Sequence, residues 1–256
     1  MEELALRLRS DWGIDDFAPI DIYSLVLNKI DNLTLAWLDI DQSLSGCALE
    51  SDGDSLIIIN SNHRKGRQNF TLAHELYHLM YEKSNLQYCE SNSEDPIEKK
   101  ANQFASYFLM PKAALKNYYY MNNIDEWTLR DIVKCEQLFQ ISHKAMLTRL
   151  QEEGYLDEAS VKSFSSRKVR ITEYAASSGF DTSLYETSPE SKKNYVLGSV
   201  IPLANKLYEY DEISKDYRNE IFLKLFREDL LDIGGDNYFR MKRNSLAHKS
   251  DNYHVK

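Results

Sequence analysis

The sequence predicts an α+β fold in which a small three-stranded sheet sits early in the chain and helices take over after it. Three observations carry this. The stretches Leu33–Leu38, Ser45–Glu50 and Ser55–Asn60 are short, apolar and bounded by turn residues, as strands are. Outside them, apolar residues recur at helical spacing over most of the chain. The composition, 43% hydrophobic and 28% charged over 256 residues, is that of a chain able to bury a core.

Taken in order, the first thirty residues read as a helix, a break at Gly13, and a second helix carrying Ile20, Ile22, Leu25, Leu27 and Ile30. The second and third strands are joined by Ser51-Asp52-Gly53-Asp54, a hairpin turn because Gly53 accepts a positive φ. Leu56–Ile59 is apolar throughout, which fits a strand covered on both faces. A helix follows from about Arg67 to Glu82, then a polar loop from Lys83 to Ser93. The next helix starts with Asp95 as N-cap and Pro96 in its first turn, and ends near Pro111. Residues 127–138 and 142–152 form two helices about Gln140-Ile141-Ser142, a helix-turn-helix outline with Ser142 capping the second. Val161–Arg170 is Ser/Lys/Arg-rich and reads as a linker or edge element. Two amphipathic helices, Ser191–Tyr208 and Glu212–Leu231, form a hairpin that Gly234-Gly235 stops, before a polar, basic and frayed tail. The expected divisions are 1–125, 126–160 and 161–256.

Charge supports a boundary near residue 160. Residues 1–160 carry 15 Lys+Arg against 26 Asp+Glu, and residues 161–256 carry 16 against 14. The acidic front argues against a broad nucleic-acid groove there. Cys47, Cys89 and Cys135 show no paired spacing, which excludes a disulfide framework and a cysteine zinc ribbon and suits a reducing cytoplasm. Met1–Ser10 interrupts its apolar residues with Glu2, Glu3, Arg7 and Arg9, unlike a signal peptide, and no segment reaches the roughly 18 apolar residues of a membrane helix. The expectation is a soluble cytoplasmic protein with no membrane partner.

The chemistry is concentrated in Thr71-Leu72-Ala73-His74-Glu75-Leu76-Tyr77-His78. At 100° per residue, His78 lies roughly 40° round the helix from His74, so both imidazoles reach one metal ion, and Glu75 projects beside them. Phe70, Ala73, Leu76, Tyr77, Leu79 and Met80 make the helix apolar nearly all round, hence buried. Two imidazoles and a carboxylate there are expensive unless something satisfies them, and a metal does.

A catalytic zinc site takes three protein ligands and leaves a fourth position open. Of the remaining histidines, His63, His143, His248 and His254, none follows His78 at the spacing of a third histidine ligand. Glu98 is a candidate, because it shares a helix face with Ala101, Ala105 and Phe108. The same residue completes a capping-box pattern, Asp95-Pro96-Ile97-Glu98, and Glu90 and Glu94 compete with it as ligands.

Ile57-Ile58-Ile59-Asn60, the run Arg67–His78, and Glu98-Lys99-Lys100-Ala101-Asn102-Gln103-Phe104-Ala105 leading to Leu109-Met110-Pro111 together resemble the ImmA/IrrE family of metallopeptidases, over roughly residues 20 to 155. The resemblance implies a small zincin-like domain with metal ligands His74, His78 and Glu98. It implies Zn2+ as the ion, although Mn2+ and Fe2+ also accept such ligands. Glu75 would act as general base in peptide-bond hydrolysis, taking a proton from water and returning it to the departing amine. Tyr77 stands where the family commonly has glycine; it points away from Glu75, so altered packing rather than a lost metal is expected. Tyr88, Tyr107, Tyr118, His143 and Arg67 are open candidates for stabilising the oxyanion.

The family carries a helix-turn-helix segment behind its peptidase, and its implied substrate is a helix-turn-helix repressor, often encoded alongside in a mobile-element, stress or defence operon. Trp127–Glu153 itself holds Arg130, Lys134, Lys144 and Arg149 against Asp131, Glu136, Glu152 and Glu153, with no basic stripe, so DNA is weakly supported as a partner. Lys162, Arg167, Lys168 and Arg170 read as a solvated linker. Two other functions stay open: a non-cleaving regulatory protein with a structural metal site that binds DNA or a repressor, and a toxin-like peptidase of a defence module. Glu75 favours an enzyme, because a structural site has no use for a carboxylate beside an open position.

Overall fold

The computed structural model describes residues 1–82, 87–90 (backbone only), 95–166 and 170–231. The α+β class and the three expected strands are present: β1 (Leu33–Leu38), β2 (Leu44–Ser51) and β3 (Asp54–Asn60). Asp52 and Gly53, with φ of 53° and 87°, make the expected tight turn between the last two. Two further strands, β4 (Gln87–Glu90) and β5 (Tyr195–Gly198), extend the sheet to the order β4-β2-β3-β1-β5. β1 and β3 run parallel, with Leu35 opposite Ile57, and every other pairing is antiparallel. The expectation that β3 is covered on both faces holds for one face only: Ile57 and Ile59 are fully buried, whereas Leu56 and Ile58 are half-buried.

Helices α1 (Glu2–Asp11) and α2 (Ile22–Lys29) precede the sheet, and Asp21 caps α2 through the Ser24 amide. Helix α3 (Lys65–Tyr81) lies across β2 and β3 and packs on α4 (Pro96–Leu109). Leu72, Ala73 and Leu76 of α3 meet Leu35, Ile57 and Ile59 of the sheet and Ala101, Phe104, Ala105 and Phe108 of α4 in one core. Every one of these residues is fully buried, and each large side chain removed from water this way contributes about 1.5–3 kcal/mol. Asp95 caps α4 by accepting from the Ile97 amide at 2.8 Å, with Pro96 in the first turn as expected. Arg9 is buried and donates to the carbonyls of Phe108 at 2.7 Å and Asp15 at 2.6 Å, fastening the N-terminal segment to the end of α4.

Beyond α4 the chain restarts at Pro111 into α5 (Lys112–Met121), a helix the sequence reading left out. The helix-turn-helix outline is there as α6 (Leu129–Phe139) and α7 (His143–Glu152), with Ser142 capping α7 through the Ala145 amide. Its turn packs on α3: Asn69 Nδ2 donates to the Gln140 carbonyl at 2.7 Å, and a Cβ on Gly66 would stand 2.8 Å from the Ser142 nitrogen. Arg149 of α7 is buried, paired with Glu153 at 2.8 Å and set over the Tyr107 ring at 4.0 Å.

The back half departs further from expectation. Val161–Arg170 is not simply a linker, because Asp157 caps α8 (Glu158–Phe164) over its first part; α9 (Ile171–Ser177) follows. The helix expected over Ser191–Tyr208 is instead β5 followed by α10 (Val200–Glu209). Tyr195 and Leu197 lie opposite Trp37 and Leu35, so pairing with the edge of β1 outweighs local helical preference here. The second helix is shorter than expected, α11 (Lys215–Lys224), and packs on α10 with Arg218 over the Tyr208 ring at 4.4 Å. Gly234-Gly235 and the basic tail lie outside the described residues. No described helix is long and apolar enough to cross a membrane.

Gly198 closes β5 at φ +106°, and a Cβ there would stand 2.1 Å from the Leu33 carbonyl oxygen. Gly198→Ala is expected to lose about 2–4 kcal/mol in chemical denaturation, since backbone strain and a clash act together. Gly179→Ala, at φ +76° with nothing within 4 Å, is expected to lose only about 1 kcal/mol. Equal losses would contradict β5 as an integral strand.

Candidate metal centre

Helix α3 places His74 and His78 one turn apart on the side that α4 covers, and Glu98 stands in the first turn of α4 opposite them. His74 Nε2 lies 3.1 Å from Glu98 Oε2, His78 Nε2 lies 3.3 Å from Glu98 Oε1, and the two Nε2 atoms are 3.1 Å apart. All three residues are buried, at 6%, 6% and 7% exposure, which shows a cluster turned inward rather than solvated at the surface. The structure thus brings together the three residues expected to share a metal, and they form the one His/Cys/Asp/Glu group suited to an ion among the described residues.

The donor set fits a divalent ion. A histidine that binds metal through Nε2 needs its Nδ1–H engaged elsewhere, which fixes the tautomer and the ring. Both rings meet this requirement. His74 Nδ1 faces Asn102 Oδ1 at 2.9 Å, and His78 Nδ1 faces Glu82 Oε2 at 2.6 Å. With Nδ1–H donating outward, each Nε2 turns a lone pair towards the common point it shares with the Glu98 carboxylate. Two imidazole nitrogens and a carboxylate oxygen make a ligand set typical of zinc and open to manganese or iron.

The electrostatics show how strongly these groups are coupled. Burial alone would raise the Glu98 pKa, but hydrogen bonds and charge from His74 and His78 outweigh it and hold the carboxyl well below its usual range. Burial alone would lower the His78 pKa, but the Glu98 hydrogen bond, the Glu75 charge and the Glu82 hydrogen bond outweigh it and raise it.

Glu75 is fully buried on the face of α3 turned to β2, together with Thr71. A Cβ on Gly46 of β2 would stand 2.7 Å from Thr71 Cγ2 and 3.2 Å from Glu75 Oε1. A strand residue without a side chain is what lets β2 approach the carboxylate this closely. The sequence reading passed over Gly46, although a glycine inside a strand signals close approach. It also passed over Asn102 and Glu82, each one helical turn beyond a residue it had singled out.

The other expected residues are dispersed. Tyr107 lies under Arg149, the Tyr118 hydroxyl donates to the Asp131 carbonyl at 3.3 Å, and His143 Nδ1 meets Glu136 at 2.6 Å. Arg67 reaches Ser45 Oγ of β2 at 3.1 Å, two turns along α3 from Glu75. His63 Nε2 faces the Gln42 carbonyl at 3.1 Å. Glu94, His248, His254 and the side chains of Tyr88, Cys89 and Glu90 lie outside what is described. Cys47 and Cys135 are buried free thiols, and burial pushes that of Cys47 up to about 11.

Residues 42–151 match the family model Peptidase_M78, the IrrE N-terminal-like domain. That span includes β2, β3, all of α3 and α4, and ends within α7. No curated protein sequence matches the chain.

Because Glu98, Glu75 and Glu82 together outweigh burial and hold the His78 pKa above its ordinary value, an incoming cation competes with a proton there up to higher pH than at an ordinary imidazole. Metal affinity is therefore expected to rise with pH through neutrality and to level off once His78 is neutral, with about one proton released per ion bound. Zinc competition titrations across pH, and calorimetry in buffers of different ionisation enthalpy, measure both quantities. A pH-independent affinity with no proton release would contradict binding at His78.

Proposed function

We propose, from the match of residues 42–151 to the IrrE N-terminal-like domain, that the protein is a zinc-dependent endopeptidase of the ImmA/IrrE family that cuts a specific regulatory protein in the cytoplasm. The observation that carries the reading is the buried His74-His78-Glu98 cluster with fully buried Glu75 on the same helix. His74, His78 and Glu98 would hold the ion. When bound, the ion supplies Lewis acidity, polarising the scissile carbonyl and acidifying water.

The protein's own residues perform the rest. Asn102 and Glu82 hold the two imidazoles by Nδ1, so that neither ring has to reorganise as charge develops. Glu75 takes a proton from the attacking water on its carboxylate and delivers it to the amide nitrogen as the peptide bond breaks. Its full burial keeps bulk water from competing for that proton.

For the substrate, a helix-turn-helix repressor is the partner that the family membership favours, and relief of repression is the outcome. Cutting one protein rather than many suits a cluster whose three residues are all buried between α3 and α4. The helix-turn-helix outline of this chain gives DNA little to hold, because Arg149 of α7 is buried against Tyr107 and Glu153. Its turn instead braces the start of α3 through Asn69 and Gly66, a supporting role for the site helix.

Glu75→Gln tests the reading, since it keeps nearly the same volume but cannot accept the proton. Co-expressed with the repressor-like product of a neighbouring gene, the wild type is expected to shorten the partner, and the variant to leave it whole while retaining one ion per chain. A loss of about 100- to 10,000-fold in cleavage rate is the size expected for a missing general base. Equal cleavage by both forms would remove Glu75 from the mechanism. An intact partner beside metal-loaded wild type would favour a regulatory protein with a structural ion.

A further inference from the structure

Tyr77 follows Glu75 by two residues and adjoins His78, and it is 8% exposed. Its ring lies 5.7 Å from the His78 imidazole with the planes at 77°. On its other sides it meets Phe104 of α4 at 5.6 Å and Tyr81 at 5.8 Å. Phe104 stacks on Phe108 at 5.5 Å, and Trp12 beyond α1 meets Phe108 edge-on at 5.8 Å. His78 is thus one end of a line of rings that runs from the cluster through α4 to the N-terminal segment. Such rings have few ways to move once packed at this spacing.

His78 needs this wall more than His74 does. The His74 ring is held from Asn102, which is in the middle of α4. The His78 ring is held from Glu82, the C-cap of α3, whose φ of −126° and ψ of 98° already depart from the helix. A hydrogen bond from a helix terminus fixes the direction of Nδ1 but leaves the ring plane free to turn about it. A perpendicular neighbour blocks that turn.

We infer that Tyr77 is a positioning residue for His78: its ring, braced by Phe104 and Tyr81, fixes the imidazole plane so that Nε2 stays aimed at His74 and Glu98. The inference rests on the reading of that cluster as a metal centre.

The test compares Tyr77→Phe, which keeps the ring, with Tyr77→Leu, which keeps the apolar bulk and loses it. Zinc affinity by chelator competition and the visible absorption of the cobalt-loaded protein are measured on the full chain, together with the thermal melt of the metal-free protein. Tyr77→Leu is expected to bind zinc about tenfold more weakly, the loss typical of groups that orient a ligand. Its cobalt bands should shift while its metal-free melt stays close to wild type, and Tyr77→Phe should restore both affinity and spectrum. Wild-type affinity and spectrum in Tyr77→Leu would overturn the inference, as would a loss shared by Tyr77→Phe or matched by collapse of the metal-free fold. His78→Ala, run alongside, is expected to abolish binding. If it does so while Tyr77→Leu changes nothing, only the role of Tyr77 falls; if it binds zinc as wild type does, the metal centre falls too and takes the inference with it.

Discussion

Two imidazoles and two carboxylates, from α3 and the first turn of α4, are held out of water close together, and almost everything else in the fold follows from making that tolerable. A buried charge left alone shifts its pKa or unfolds its surroundings. Here the charges are set against each other. Glu98 stands between the two Nε2 atoms at 3.1 and 3.3 Å, and Asn102 and Glu82 engage the outer nitrogens. The opposed shifts of Glu98 and His78 show that the pair stabilises the metal-free fold over a limited window. The Glu98 contribution is lost as pH falls through its lowered pKa, and that of His78 is lost as pH rises through its raised one.

The architecture can be understood as a mount for that cluster. Helix α3 must lie flat on β2 and β3 to bury Leu72, Ala73 and Leu76, and this turns Glu75 towards Gly46 of β2 and, on the adjoining face, both histidines towards α4. Helix α4 contributes a ligand candidate, Glu98, and an orienting group, Asn102, one turn apart, so a slip of α4 along α3 would displace both together. The rings at Tyr77, Phe104 and Phe108 and the Arg9 bond to the Phe108 carbonyl resist such a slip. The helix-turn-helix turn at Gln140–Ser142 braces the other end of α3.

What the sequence made legible was what a single element determines. His74, Glu75 and His78 sit on one helix, and their mutual placement follows from 3.6 residues per turn. Glu98 was legible as a candidate because its helix face was small and apolar, but capping could equally have explained it; only the packing of α4 on α3 decides where it points. Gly46 acts across from a strand to a helix, and no local pattern announces which helix. The same limit explains β5: Tyr195–Gly198 is too short to show a period, and its pairing with β1 spans about 160 residues of chain. The short helix α8 begins at Asp157, a cap present in the sequence, but runs into the Ser/Lys/Arg-rich stretch from Val161 that reads as a linker; α5 follows Pro111, which caps it with no side-chain hydrogen bond.

The central claim is that His74, His78 and Glu98 hold one metal ion between α3 and α4. X-ray absorption at the zinc edge, on the full chain loaded with one equivalent and on Glu98→Gln, tests it most directly. The expected spectrum shows nitrogen and oxygen neighbours with two imidazoles and no sulfur, and in Glu98→Gln the imidazole signature stays while the carboxylate contribution changes. Sulfur neighbours, or identical spectra from the two proteins, would place the ion elsewhere and contradict the account.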